Sequence, residues 1–105
     1  MATEKLDLLI LQTLALGPRH GYGLAQRIAQ VSGGVFRVTL GALYPALQRL
    51  ERAGAVAARW SVSENNRRAR YYALTRAGRR RLAAELADWE RVTAAMTRVL
   101  HAGTE

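Results

Sequence analysis

Residues 39–74 read TLGALYPALQRLERAGAVAARWSVSENNRRARYYAL, and the spacing of apolar side chains changes once along this stretch. In its first part the leucines recur every three or four positions, which places them on one face of a helix: Leu40, Leu43, Leu47 and Leu50. Thr39 is a residue type that caps helix N-termini, and Gly54 is one that ends helices. The spacing therefore predicts a helix over Thr39–Ala53 with one buried leucine stripe.

Beyond Gly54 the apolar period falls from 3.6 to 2. Val56, Ala58, Trp60 and Val62 alternate with Ala57, Arg59 and Ser61, and further along Ala69, Tyr71 and Ala73 alternate with Arg68, Arg70 and Tyr72. The segment between the two runs, Ser63-Glu64-Asn65-Asn66, has the composition of a turn. These features predict a β-hairpin with a polar tip.

Two helices are expected before this stretch. Leu6–Leu16 is apolar on nearly every side, which predicts burial from two directions, and Gly17-Pro18 ends it. Gly21–Val31 carries Leu24, Ile28 and Val31 on one face, and a short extended link over Val35–Val38 follows. Three helices followed by a hairpin are the order of a winged helix-turn-helix, so the fold class is mainly α with a small β-hairpin.

A long helix is expected after the hairpin, with Thr75 as its cap. Apolar positions at spacings of three and four form a heptad seam, widened by Val92 and Val99, that consists of Leu82, Leu86, Trp89, Thr93, Met96 and Leu100. A second copy of the chain is the simplest partner for this seam. We expect residues 1–74 to form a DNA-binding domain and 75–105 a dimerisation helix, together one compact unit. The predicted dimer interface consists of Leu82, Leu86, Trp89, Met96 and Leu100.

The net charge of +8 lies in one part of the chain. Residues 49–81 hold ten arginines and two glutamates, whereas the bases and acids outside this segment cancel. Genome bias would explain the choice of Arg over Lys, but it does not explain the local scarcity of acids. Clustered arginine is typical of a site for a polyanion, so the charge predicts nucleic-acid binding.

Candidate DNA-binding residues occur in three places. The third helix would enter the major groove, and Gln48 and Arg49 can each make bidentate contacts with bases. The hairpin tip suits a phosphate track or a narrow minor groove, and the start of the second helix can hold a phosphate on its N–H groups. In the alternative interpretation, Tyr44 packs against the second helix and Arg49 is only solvated. The full candidate set is His20, Gly21, Tyr22, Thr39, Gly41, Tyr44, Gln48, Arg49, Asn65, Asn66, Arg67, Arg68 and Arg70.

Several function classes lack the residues they need. The chain has no cysteine, which excludes disulfides, zinc ribbons, iron–sulfur clusters and thiol catalysis. The two histidines, His20 and His101, have no ligand companions at metal spacing, so we expect neither a metal nor a cofactor. No catalytic constellation indicates an enzyme. Without a membrane span or a signal peptide, a cytoplasmic protein with no membrane association is expected.

Four sequence blocks resemble the PadR family of bacterial transcriptional regulators. They are LDLLIL at residues 6–11, GPRHGYGL at 17–24, LYPALQRLE at 43–51 and RYYALTRAG at 70–78. The resemblance covers about residues 5–90, and the SENNRRARYY stretch is similar to short members with one C-terminal helix.

This resemblance implies a winged-helix homodimer, usually a repressor, that binds an inverted repeat in double-stranded DNA and dimerises through its last helix. Some relatives sense small aromatic compounds near the dimer interface, where Trp89 is the residue that could stack on such a ligand; alternatively, Trp89 fills the dimer core. Two other functions stay open at this point: a winged-helix protein-interaction or ligand-sensing module without DNA binding, and an RNA-binding winged helix. The charge excess of residues 49–81 favours nucleic acid over a pure interaction module.

Overall fold

The computed structural model describes residues 3–103 and has the expected architecture. The elements in chain order are α1 (Thr3–Leu14), β1 (Arg19–His20), α2 (Gly21–Val31), α3 (Leu40–Arg52), β2 (Val56–Val62), β3 (Arg68–Leu74) and α4 (Arg76–Leu100). The three strands form one antiparallel sheet in the order β1-β3-β2. The winged helix-turn-helix with a long last helix is therefore confirmed, and the two-residue strand β1 is an addition to the predicted hairpin.

The core lies where the first three helices meet. Its fully buried large side chains are Ile10, Leu11 and Leu14 of α1, Leu24 of α2, and Leu43, Leu47 and Leu50 of α3. Each buried leucine or isoleucine of this kind contributes about 1.5–3 kcal/mol of transfer free energy. Since α1 contacts α2, α3 and α4, its apolar side chains are covered from more than one direction, as its sequence predicted.

The ends of two predicted stripes lie outside the core. Leu40 is 40% exposed and Val31 is 69% exposed, so the prediction that each continues its buried stripe is wrong. Leu40 is the first residue of α3 and Val31 is the last residue of α2, and both therefore stand at helix ends. Helical periodicity gives the face of a residue but not how far along the helix the neighbouring elements reach.

The hairpin has a continuous register from Val56 opposite Leu74 to Val62 opposite Arg68. Its turn closes through hydrogen bonds from the Ser63 N–H to the Arg67 carbonyl (2.7 Å) and from the Asn66 N–H to the Ser63 carbonyl (2.9 Å). Asn66 has a φ of 59°, a left-handed conformation that asparagine tolerates better than most residues. The polar tip that the sequence predicts is thus confirmed. We call residues 56–74 the wing.

The core-facing side of the wing differs from the alternation that the sequence suggested. The sequence pattern places Tyr72 with Arg68 and Arg70, away from the apolar positions, but Tyr72 is only 6% exposed and belongs to the core. It lies opposite Ala58, two positions from the Val56–Leu74 pair, on the face that rests on the helices. Arg68 and Arg70 therefore share the core-facing side of the sheet near its outer end.

Helix α4 is joined to the rest of the domain at its start. The Thr75 hydroxyl accepts a hydrogen bond from the Gly78 N–H (3.0 Å) and caps the helix as expected, and it also contacts the Gly54 carbonyl at 2.6 Å. Leu82 is 7% exposed within the core, and Leu86 packs against it. The later part of the helix exposes its apolar side chains, and the longest dimension of the molecule is 61 Å.

Candidate nucleic-acid interface

Helix α3 exposes one narrow strip opposite its leucine face. The Thr39 hydroxyl caps the helix by accepting a hydrogen bond from the Ala42 N–H at 3.2 Å. Gly41, Tyr44 and Gln48 follow at helical spacing, and all three are exposed. This strip consists of a small residue, a phenol and an amide, so a neighbouring molecule can approach the helix closely and find hydrogen-bonding groups there.

Tyr44 packs against the second helix while remaining 45% exposed. Its ring lies over buried Gly21, and a methyl group added to Gly21 would come within 2.6 Å of the Tyr44 hydroxyl. The alternative interpretation of Tyr44, packing against α2, therefore describes its position. Gly21 allows this contact because it has no side chain, so its role in the structure is to bring α2 and α3 together.

His20 caps α2 through its side chain. Its Nδ1 accepts a hydrogen bond from the Gly23 N–H at 3.0 Å, and its ring meets Tyr71 of β3 edge-on with centroids 5.3 Å apart. Since Nδ1 is the acceptor, the neutral imidazole carries its proton on Nε2, where it can donate to an anion. Tyr22 beside it is 62% exposed.

A polar groove of about 500 Å³ lies between α2 and the wing, and we call it the α2–wing groove. His20 and Tyr22 line it from one side and Asn65 from the other, together with Arg19 and Arg27. The structure thus brings the predicted phosphate site at the start of α2 next to the predicted hairpin tip.

The predicted wing arginines have different surroundings. Arg70 donates a hydrogen bond to the Glu51 carboxylate of α3 at 2.8 Å, which ties the wing to that helix. The Arg68 guanidinium carbon lies 5.0 Å from the Trp60 ring centroid, a cation–π distance. Arg67 is exposed at the tip, as are Asn65 and Asn66.

A second groove of about 290 Å³ separates α3 from the wing, and we call it the α3–wing groove. Its lining includes Tyr44 and Gln48 of the α3 strip, and Glu51, Arg70 and Tyr72 on its other parts. Residues predicted independently from the third helix and from the hairpin therefore meet at one surface.

Arg49 points to a different neighbour. Its Nη2 lies 3.2 Å from the Asp7 carboxylate of α1, which also accepts a hydrogen bond from Arg81 of α4 at 3.1 Å. Asp7 is 7% exposed. Burial raises the pKa of Asp7 and Glu85 adds to the increase, while Arg49 and Arg81 oppose it without cancelling it. Asp7 is not among the residues predicted from the sequence, where its one signal is that it is a lone acid within the apolar run of α1.

Seven of the ten arginines of residues 49–81 have no carboxylate partner among the described side chains. Arg49, Arg70 and Arg81 form ion pairs, whereas, among the side chains of residues 5–103, no carboxylate lies within 4.0 Å of the other seven. These seven are exposed: Arg52, Arg59, Arg67, Arg68, Arg76, Arg79 and Arg80. The positive potential of this segment is therefore directed to the solvent rather than neutralised within the chain.

The predicted dimer seam divides into two parts. Leu82 and Leu86 pack within the chain, so most of their surface is already covered. Trp89 is 41% exposed, and Met96 and Leu100 are more exposed still. Trp89 also lines a groove of about 470 Å³ between α1 and α4, which we call the α1–α4 groove. In this groove the Lys5 ammonium lies 5.4 Å from the centroid of the Trp89 ring.

Other kinds of site are not found in the part of the chain that the structure describes. Among the side chains of residues 5–103, no three histidines or acids are grouped as a metal site would require. Within the same residues no helix combines the length and the apolar character that crossing a membrane takes.

Comparisons with known proteins give consistent matches. The model of the transcriptional regulator PadR-like family matches residues 10–84. An uncharacterised 37.1 kDa protein in transposon TN4556 of Streptomyces fradiae is 40% identical over 93 residues, which is 89% of this chain but only 25% of that protein, so this chain spans about a quarter of that relative.

Solved structures match over most of the chain. A PadR family transcription regulator from Clostridium difficile is 27% identical with a TM-score of 0.80, covering 90% of this chain and 97% of the other. Bacillus subtilis PadR, solved in complex with operator DNA, is 25% identical with a TM-score of 0.69, covering 77% of this chain and 46% of that one.

Proposed function

The chain belongs to the PadR-like family of transcriptional regulators, and from this premise we propose that it acts as a homodimer that binds an inverted repeat in duplex DNA and represses transcription. The observation that carries the proposal is the α3–wing groove, where Tyr44 and Gln48 of α3 and Arg70 of the wing line one surface beside unneutralised arginines. The similarity to Bacillus subtilis PadR, which was solved with operator DNA, supports it.

In this proposal α3 is the recognition helix and lies in the major groove. Gln48 reads a base, since it is exposed on α3 and its amide can contact adenine through two hydrogen bonds. Gly41 allows the helix to approach closely, and Tyr44 contacts a phosphate or a base edge. Arg49 reaches the DNA only with the part of its side chain that Asp7 leaves free.

The wing and the start of α2 contact the phosphate backbone. Arg67 and Arg68 are free to bind phosphates, with Asn65 and Asn66 beside them as hydrogen-bonding groups. Across the α2–wing groove, the N–H groups at Gly21 and Tyr22 and the Nε2 of His20 favour another phosphate. These contacts position the domain without reading sequence.

The exposed part of the α4 seam is proposed to form the dimer. Trp89, Met96 and Leu100 are apolar side chains that a single chain leaves in water, and burying them against a second α4 would be favourable. Two recognition helices about 34 Å apart would then face successive turns of the major groove.

The effector of such a repressor is proposed to be a small aromatic compound. Trp89 offers an aromatic ring in the α1–α4 groove on which such a ligand can stack, and the lining, with two bases and three acids, does not favour a negatively charged ligand. The groove also contains Asp7, so a bound ligand would lie next to the carboxylate that contacts the recognition helix.

Fluorescence anisotropy with labelled duplexes tests the proposed function, after genomic footprinting with purified protein has identified a site. We expect affinity to fall steeply with salt, and the double variant Arg67→Ala/Arg68→Ala to reduce the slope of log K against log salt by about 1.8, for every sequence. The matched control, Arg91→Ala/Arg98→Ala, removes the same charge from α4 and should bind nearly as the wild type does.

Three outcomes would contradict this proposal. A wild-type protein without preference for duplex DNA over an acidic control protein would favour the interaction-module alternative. Tighter binding to RNA loops than to duplex DNA would favour an RNA-binding protein. Wild-type affinity in the Arg67→Ala/Arg68→Ala variant would show that the wing does not contact DNA.

A further inference from the structure

Trp60 is a large apolar side chain that the domain leaves in water. On strand β2, Val56 is 2% exposed, whereas Trp60 and Val62 on the same face are 59% and 60% exposed. The core therefore ends at the base of the wing, while the apolar pattern of the strand continues outward. The core does not cover the Trp60 ring, and the turn chemistry of the wing does not require an indole at position 60.

The face that carries Trp60 also carries the arginines of strand β3. Trp60 lies directly opposite Arg70, and Val62 lies opposite Arg68. Arg70 reaches Glu51 of α3 at 2.8 Å, so this face of the wing is the one that turns toward the recognition helix. Trp60 therefore lies at the outer margin of the surface that includes the α3–wing groove.

The indole also holds a guanidinium. The Arg68 Cζ lies 5.0 Å from the centroid of the Trp60 ring, and no carboxylate of the described residues lies within 4.0 Å of Arg68. A guanidinium that contacts a ring through its face keeps its N–H donors for another acceptor. The pair thus offers an apolar ring next to an unneutralised donor.

We propose that Trp60 is a DNA-binding residue that packs directly against the sugar–phosphate backbone of the duplex, while Arg68 binds the adjacent phosphate. The backbone alternates apolar deoxyribose with anionic phosphate, which complements a ring beside a cation. The inference rests on the proposed function and adds a contact that is not ionic. In this proposal the exposed face of the wing binds duplex DNA rather than a protein partner.

Tryptophan fluorescence tests the contact directly, because the chain has two tryptophans and Trp60→Phe leaves only Trp89. The difference between wild type and Trp60→Phe then reports the emission of Trp60. We expect saturating duplex to change the Trp60 fluorescence obtained from this difference and to reduce its quenching by acrylamide. Both measurements are made at DNA concentrations where anisotropy shows that both proteins are bound.

Affinity measurements test whether the contact is direct. We expect Trp60→Ala to lower duplex affinity about tenfold without changing the salt slope, because a ring releases no counterions. Trp60→Phe should stay within about threefold of the wild type, whereas Arg68→Ala should reduce the slope by about 0.9. Leu16→Ala, which truncates a side chain that is 71% exposed at the turn after α1, is the matched control and should bind normally. Thermal unfolding followed by circular dichroism checks that each variant is folded.

Each contrary outcome has a distinct meaning. Unchanged Trp60 emission at saturating DNA, or wild-type affinity in Trp60→Ala, overturns this inference and leaves the proposed function intact. A salt slope that falls together with affinity in Trp60→Ala would show that Trp60 only positions Arg68, which overturns the direct contact. A wild-type protein that binds no duplex overturns the proposed function and this inference together.

Discussion

Asp7 of α1 and Arg49 of α3, separated by 42 positions in sequence, are joined by a hydrogen bond of 3.2 Å. Asp7 also accepts a hydrogen bond from Arg81 of α4 at 3.1 Å. One nearly buried carboxylate therefore connects the helix that we propose to read DNA with the helix that we propose to form the dimer. Both of its partners are arginines, whose side chains remain 47% and 38% exposed.

The first prediction concerns the pH dependence that Asp7 gives to stability. Burial raises the pKa of Asp7 above its ordinary value of 3.8, so the folded state binds this proton more tightly than the unfolded state does. The stabilising contribution of the protonated carboxyl is present below 3.8 and is lost as the pH rises through the raised pKa. The Asp7→Asn substitution keeps the size and shape of the side chain but removes its ionisable carboxyl group. We expect the stability of Asp7→Asn relative to the wild type to increase as the pH rises from 3 to 7.

Urea unfolding at several pH values measures this difference in the free energy of unfolding. Asp88→Asn is the matched control, since Asp88 is an exposed acid of α4 whose partner is Arg91, and we expect a change below about 0.5 kcal/mol from it. If Asp7→Asn loses stability relative to the wild type as the pH rises, the ion pairs with the arginines outweigh the cost of burial.

The second prediction separates two neighbouring residues of α3. Gln48 lies in the α3–wing groove, whereas Arg49 is bonded to Asp7. We expect Gln48→Ala to lose about 1–3 kcal/mol of discrimination at one base pair. We expect Arg49→Ala to lower affinity for all sequences alike, because it loosens the attachment of α3 to α1. Competition binding with single-base-pair variants of the footprinted site distinguishes the two, and a change of base preference in Arg49→Ala would contradict this assignment.

Local pattern was sufficient to predict most of the fold. The leucine spacing and the caps Thr39 and Thr75 defined the third and last helices, because the information for an amphipathic helix and its N-terminus lies within a few residues. The hairpin followed from the change of period at Gly54. Local sequence signals also identify Tyr44, Gln48 and Arg70 as candidates. That the three line one groove is seen only in the structure.

The features that the sequence did not predict all depend on contacts between distant segments. Strand β1 is only two residues long and exists through its pairing with β3. Burial of Tyr72 depends on which face of the hairpin rests on the helices, and alternation alone cannot choose between two faces. The pairing of Asp7 with Arg49 depends on how α1 crosses α3. No local signal determines any of the three.

The third prediction compares two glycines within helices. A methyl group at Gly41 would meet only the Thr39 hydroxyl oxygen, at 4.0 Å, whereas a methyl group at Gly78 would collide with the Ala55 carbonyl oxygen and with the Leu74 side chain. We expect Gly41→Ala to raise the free energy of unfolding through helix propensity, by less than the roughly 1 kcal/mol of a helix interior because Gly41 is the second residue of α3. Gly78→Ala should lower it by about 1–3 kcal/mol through overpacking.

The Gly41→Ala variant also tests how closely α3 approaches DNA. If Gly41 faces the floor of the major groove, the added methyl group will lower duplex affinity although the protein becomes more stable. Thermal unfolding and anisotropy measured on the same samples show whether the two effects have opposite directions. A Gly41→Ala protein that is more stable and binds DNA normally would place this part of α3 away from the duplex.

The fourth prediction concerns the exposed part of the α4 seam. Met96 is 55% exposed, so Met96→Glu should leave the fold of one chain intact, but at a dimer interface it would bury an unpaired charge. We expect a monomer by light scattering coupled to size exclusion, and at least about tenfold weaker binding to the inverted repeat because the two half-sites no longer bind as one unit. Ala94→Glu adds the same charge on the opposite side of α4 and should remain a dimer. A dimeric Met96→Glu protein would show that the chains associate through another surface, and the spacing of the two recognition helices would then have to be set by that surface.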